Sequence, residues 1–141
     1  MAEPAALEGV ADLLEGPRTV AVLGAHPEVH RAAHYVPAYM REQGWRVVPV
    51  NPTRPAGEVL FGEPVRATLR EAGAVDMINV FRPSHALEGH LAELLAAGAP
   101  VVWFQLGIEH AAVAAELRAA GIRVVQDRCL LADHRRWKRT G

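Results

Sequence analysis

The chain has 141 residues, half of them apolar and 22% charged, which supports a folded core and excludes wholesale disorder. Fifteen Lys and Arg against sixteen Asp and Glu leave a formal charge of −1, so there is no global footprint for nucleic acid or an anionic membrane. The lone Cys129 excludes an intramolecular disulfide framework and a multi-cysteine zinc site. From the amino terminus, Leu7, Val10, Leu13 and Leu14 predict a helix over about 4–14. A β-rich run at 19–23 follows Gly16-Pro17, and Gly24 leads into a helix beginning near Val29. Further β-rich runs stand at 46–50, 75–81, 101–104 and 122–125, each just after Gly44, Gly73, Gly98 or Gly121. A helix often ends at a left-handed residue, where glycine has no Cβ clash, so the segments before these glycines are predicted helices. Leu87, Leu91, Leu94 and Leu95 agree in spacing, as do Val113, Leu117 and Ala120. Pro49 argues against the second strand, because proline cannot donate to a ladder. Segment 51–65, rich in Pro and Gly, reads as a long loop with a short edge strand at 59–61. A last helix starts at about Leu130.

Alternating strands and helices predict an α/β fold: a Rossmann-like, doubly wound parallel sheet of five to six strands with helices on both faces. The nearly continuous apolar runs suit strands buried on both sides. In such sheets ligands bind beyond the carboxyl ends of the strands, near the point where strand order reverses. The residues there are Gly24, Ala25, His26 and Pro27, then Asn51, Pro52 and Arg54, with Arg31 at the start of the first helix. The third and fourth loops add Phe81, Arg82 and Pro83, and Gln105 and Gly107. A strand, a glycine turn and a helix present unpaired N–H groups and a positive dipole end to an anion. The full G-x-G-x-x-G fingerprint is absent, since His26 and Val29 hold the second and third glycine positions. The second strand ends Val50-Asn51-Pro52 without the carboxylate that bonds the ribose of NAD, and Arg54 follows. An arginine there suits a ribose phosphate, as in NADP or coenzyme A.

Five segments carry a more specific likeness. They are Val20-Ala21-Val22-Leu23-Gly24-Ala25, Val48-Pro49-Val50-Asn51-Pro52, Val80-Phe81-Arg82-Pro83, Val102-Trp103-Phe104-Gln105-Leu106-Gly107-Ile108 and Asp127-Arg128-Cys129. In this order, over about 18–136, the chain resembles the small CoA-binding domain family, whose fold also forms the N-terminal domain of the succinyl-CoA synthetase α subunit. The resemblance implies that loop 24–29 cradles the phosphates of coenzyme A and that Asn51, Pro52 and Arg54 lie along its 3′-phosphate side. The loops after Phe81 and Phe104 would complete the groove. The family usually has Ser or Thr where this chain has His26, so an imidazole would replace a hydroxyl donor. In the synthetase, chemistry needs a phosphohistidine on a further domain and a partner subunit. With the sequence ending at Gly141, the expectation is a module that binds coenzyme A or an acyl-CoA without catalysis of its own.

Competing readings are weaker. His26, His30 and His34 are spaced by four, but Pro27 interrupts the first pair and a third ligand is lacking, so no metal is expected. Arg123 and Arg128 near Cys129 would favour a thiolate, against the plainer reading of a half-buried structural cysteine. Arg135, Arg136, Lys138 and Arg139 read as a solvated helix face. No Gly-x-Ser-x-Gly elbow or phosphate-binding Gly-Lys-Ser/Thr occurs, and no catalytic residue is assigned. The alternative function is an NADP-dependent oxidoreductase or nucleotide sensor. The longest apolar stretch, 94–104, is too short to span a bilayer, and Met1-Ala2-Glu3-Pro4 has no signal-peptide character. A single soluble, cytoplasmic domain over 1–141 is expected, with a small nucleotide as partner and neither nucleic acid nor membrane. Homo-oligomerisation is left open.

Overall fold

In a computed structural model, residues 7–140 are described. Five parallel strands form one sheet: β1 (Thr19–Leu23), β2 (Arg46–Val50), β5 (Met77–Val80), β6 (Val101–Phe104) and β7 (Arg123–Val125). Their order is β2-β1-β5-β6-β7, so the chain runs outward from β1 to β2 and then crosses back to β5. Helices α1 (Ala32–Glu42), α2 (Leu69–Ala72), α3 (Leu91–Ala97), α4 (Ala111–Ala119) and α5 (Leu130–Thr140) cover the two faces. This is the expected doubly wound α/β class.

Period-two side-chain alternation splits the core into two layers. Val20, Val22, Met77 and Trp103 face one side, where Val36 and Met40 of α1 and Leu130 of α5 pack on them. Ala21, Leu23, Ile78, Val80 and Phe104 face the other, against Leu69, Leu87, Leu94, Val113 and Leu117. Gly44, Gly73, Gly98 and Gly121 all have positive φ, as their place after predicted helices requires.

Four local details differ from the sequence expectations. Residues 4–6 of the expected first helix lie outside the described residues, and its remainder is a turn followed by a 3₁₀ helix, Ala11–Leu13. Apolar residues at 7, 10 and 13 suit the three-residue period of a 3₁₀ turn as well as a helix, and they are buried in that form. The helix after Gly24 begins at Ala32, not near Val29. Between β5 and α3 the chain forms a 3₁₀ helix, Ser84–His90, which already buries Leu87, while Leu95 is exposed. The edge strand expected at 59–61 is instead β3 (Val59–Leu60), paired antiparallel with β4 (Glu63–Pro64) in a separate hairpin.

Pro49 fits because β2 is an edge strand. The Pro49 carbonyl accepts from the Arg66 amide at 2.9 Å on the outer side, so the missing N–H also points away from β1. Arg66 then accepts from the Asn51 amide at 2.9 Å, making a one-residue parallel bridge that covers this edge. Among the described residues no helix is long and apolar enough to cross a membrane.

Helix α5 is anchored by a buried His134, whose Nδ1 pairs with the Tyr39 hydroxyl at 2.8 Å and whose ring is ringed by Tyr39, Trp45 and Trp137. Burial, then the Lys138 ammonium, hold this imidazole below its ordinary value of 6.5. The unfolded chain therefore takes up this proton first as pH falls, and stability drops progressively below about pH 6.5. We expect the urea midpoint to fall between pH 7 and pH 5, and His134→Gln to remove part of that slope. A slope unchanged by the substitution would assign the acid sensitivity to other groups.

Candidate functional site

The order reversal at β1 opens the crevice between the carboxyl ends of β1 and β5. Three strand-end bonds set its rim: Gly24 N–H donates to the Val50 carbonyl at 2.8 Å, Phe81 N–H to Leu23 at 2.9 Å, and Gln105 N–H to Val80 at 3.1 Å. Gly24 has φ +97°, and a Cβ there would lie 3.4 Å from Arg82 Cδ and from the Phe81 backbone. Glycine thus serves the left-handed turn, while the two loops meet there at ordinary contact distance.

Loop 24–31 is held by an unusual donor exchange. Pro37 lies inside α1 and has no N–H for the carbonyl four residues earlier, that of Ala33. The His26 amide takes that carbonyl at 3.3 Å, tying the loop to the helix. The His26 carbonyl accepts from His34 Nδ1 at 2.9 Å, and His26 Nδ1 accepts from the Glu28 amide at 3.0 Å. An accepting Nδ1 places the proton of neutral His26 on Nε2, which leaves Nε2–H as a donor. Burial, then Arg31 and Arg54, hold the His26 imidazole below its ordinary value and favour this neutral form. Arg31, in extended geometry, stands at the N-cap of α1 without a capping side-chain bond. The amides of Ala32 and Ala33 open the helix with no acceptor among the described residues. They are donors for an anion.

Asn51 is buried and builds the rim. Its Nδ2 donates to the Ala25 carbonyl at 2.9 Å, while its Oδ1 accepts from Thr53 N–H at 3.0 Å and from Thr53 Oγ1 at 2.7 Å. Exposed Pro52 follows, and Arg54 is paired side-on with Glu58. Across the crevice Phe81 and Arg82 are half-buried and Pro83 is exposed. Among the described residues Arg31 and Arg82 form no ion pair.

The structure therefore brings the residues predicted from the first three loops to one crevice. The fourth loop adjoins the third, through the Gln105 bond to Val80 and through Glu109 N–H, which donates to Ser84 Oγ at 3.0 Å. Gln105 is buried beneath the rim, where its Oε1 accepts from Leu130 N–H at 3.3 Å and from Asn79 Nδ2 at 3.4 Å. Exposed Gly107 donates to Asp127 Oδ1 at 2.7 Å, joining the β6 loop to the β7 loop. Of the spaced histidines, His26 and His34 are engaged with backbone groups, and no group of three metal donors is assembled among the described residues. Cys129 is half-buried, and Trp103 and Phe104 are fully buried core. Sequence reasoning missed the pairing of Glu58 with Arg54. Their opposite charges four residues apart were the available signal, obscured because such spacing has meaning only once the loop's path is known.

An open parallel sheet whose strand order reverses beside a helix N-terminus is a doubly wound α/β domain. The CoA binding domain family model matches residues 18–135, and the chain belongs to that family. The chain is 32% identical over 125 residues to protein YneT of Bacillus subtilis (strain 168), covering 89% of this chain and 91% of YneT. It is also similar to the solved Thermus thermophilus structure termed cell-free ID.343, at 47% identity and TM-score 0.87, covering 97% and 99% of the two chains. A protein from Pyrococcus horikoshii OT3 matches at 26% identity and TM-score 0.83, covering 93% of this chain and 91% of that one.

Proposed function

We propose that this protein binds coenzyme A or an acyl-CoA at the carboxyl edge of its sheet and carries out no reaction by itself. The observation that carries this reading is the open amide pair of Ala32 and Ala33 on the switch-point crevice of a CoA-binding-family chain. Those amides, His26 Nε2–H and Arg82 suit a pyrophosphate, and Arg54 stands where the 3′-phosphate side is expected. Support for the non-catalytic part comes from how the polar rim groups are used. Asn51, Ser84 and Asp127 accept from backbone amides, and His110 Nδ1 accepts from Val113 N–H.

Calorimetry with CoA, dephospho-CoA, NAD and NADP tests the reading. CoA is expected to bind best, and a lack of any response to millimolar CoA would overturn it. A stronger response to NADP would favour the redox or sensor alternative. Arg54→Ala is expected to weaken CoA about tenfold, the scale of one charge-assisted contact, and dephospho-CoA far less. Equal losses for the two ligands would show that Arg54 does not read the 3′-phosphate.

A further inference from the structure

Arg54 Nε donates to Glu58 Oε1 at 2.9 Å and Nη2 donates to Oε2 at 2.7 Å. A carboxylate in this fork offers two anionic oxygens in the way a phosphate does. The loop around the pair is fixed by its backbone: Arg54 N–H donates to the Asn51 carbonyl at 3.3 Å and Glu58 N–H to Pro55 at 3.2 Å. The Glu58 carbonyl accepts from Val65 N–H at 2.8 Å. The Glu58 side chain can therefore leave Arg54 while the loop keeps its path. Arg54 holds the Glu58 carboxyl below the usual range, so it is ionised at neutral pH. The pair lies on the loop after β2, which Asn51 ties to the first loop: the Asn51 carbonyl accepts from Arg54 N–H at 3.3 Å and Asn51 Nδ2 donates to the Ala25 carbonyl at 2.9 Å.

Resting on the CoA reading above, we propose that Glu58 is an internal stand-in for the ligand's phosphate on Arg54 and thereby tempers how strongly the site favours a 3′-phosphate. Coenzyme A must displace the carboxylate before its 3′-phosphate reaches the guanidinium. A dianionic phosphomonoester competes well for the fork, and a hydroxyl does not compete at all. Dephospho-CoA, with nothing to place there, binds while the Arg54–Glu58 pair stays closed. Glu58 thus lowers the affinity for CoA itself and makes occupancy of Arg54 conditional on a phosphate.

The test is calorimetric titration of the full chain and its Glu58→Gln variant with CoA and with dephospho-CoA. Glu58→Gln keeps the side-chain size and removes the charge. It is expected to tighten CoA about fivefold, the upper end for a solvent-accessible ion pair, and to leave dephospho-CoA unchanged. Glu58→Ala should act in the same direction, and thermal midpoints close to that of the parent show that both variants fold. Weaker CoA binding by both variants would mean that Glu58 positions Arg54, and unchanged CoA binding would mean that the carboxylate does not compete. Either result overturns the proposal while leaving the CoA reading intact. Absence of CoA binding by the parent chain would instead overturn that reading, and this one with it.

Discussion

Trp103→Ala is expected to lower the unfolding free energy by about 3–5 kcal/mol, the range for deleting a large buried aromatic side chain. Trp103 is fully buried in β6, between the sheet and the helices α1 and α5. Its indole N–H also donates to the Arg128 carbonyl at 2.8 Å, which fastens the segment after β7 to the sheet. Trp103→Phe largely separates these roles, because it keeps most of the apolar volume and loses the donor with a small part of the ring. That variant should cost about 1 kcal/mol from the lost bond, plus a smaller packing loss. Urea unfolding followed by circular dichroism measures both. A loss below about 1 kcal/mol for Trp103→Ala would contradict its central place in the core.

Asn51→Asp is the second large effect, this time on the site. The substitution is nearly isosteric and keeps the oxygen that receives Thr53. It replaces the donor to the Ala25 carbonyl with an acceptor, at a distance of 2.9 Å in the parent. Two oxygens facing each other in a buried position should cost about 1–3 kcal/mol of stability. The loops after β1 and β2 would then separate, and CoA affinity should fall by about tenfold or more, on the same energy scale. Asn51→Asp with parent stability and parent CoA affinity would show that the two loops are held independently.

The sheet was legible because buried parallel strands must be apolar on both faces, and because left-handed helix ends favour glycine at 44, 73, 98 and 121. The crevice was legible for the same reason, since strand ends locate the loops. What escaped depends on chain path. The start of α1 at Ala32 follows from extended Arg31 and from the Pro37 vacancy that captures the His26 amide, and no periodicity reports that exchange. Strand-end position alone marks Asn51 and Gln105 as rim residues, and it does not report that both side chains are buried and hydrogen-bonded within the chain. Their residue types suit a binding rim and a structural clamp equally well, and only the carbonyls and amides beside them decide.

The bridge from Arg66 onto the outer side of β2 bears on self-association. An uncovered strand edge is a template on which a second copy extends the sheet. Here one margin carries Pro49 and the Arg66 bridge. The opposite margin, β7, is three residues long, and its Arg123 reaches the Asp12 carboxylate at 2.6 Å and the Gly9 carbonyl at 2.7 Å. Both margins thus resist strand-to-strand growth, which protects the chain from sheet-driven aggregation.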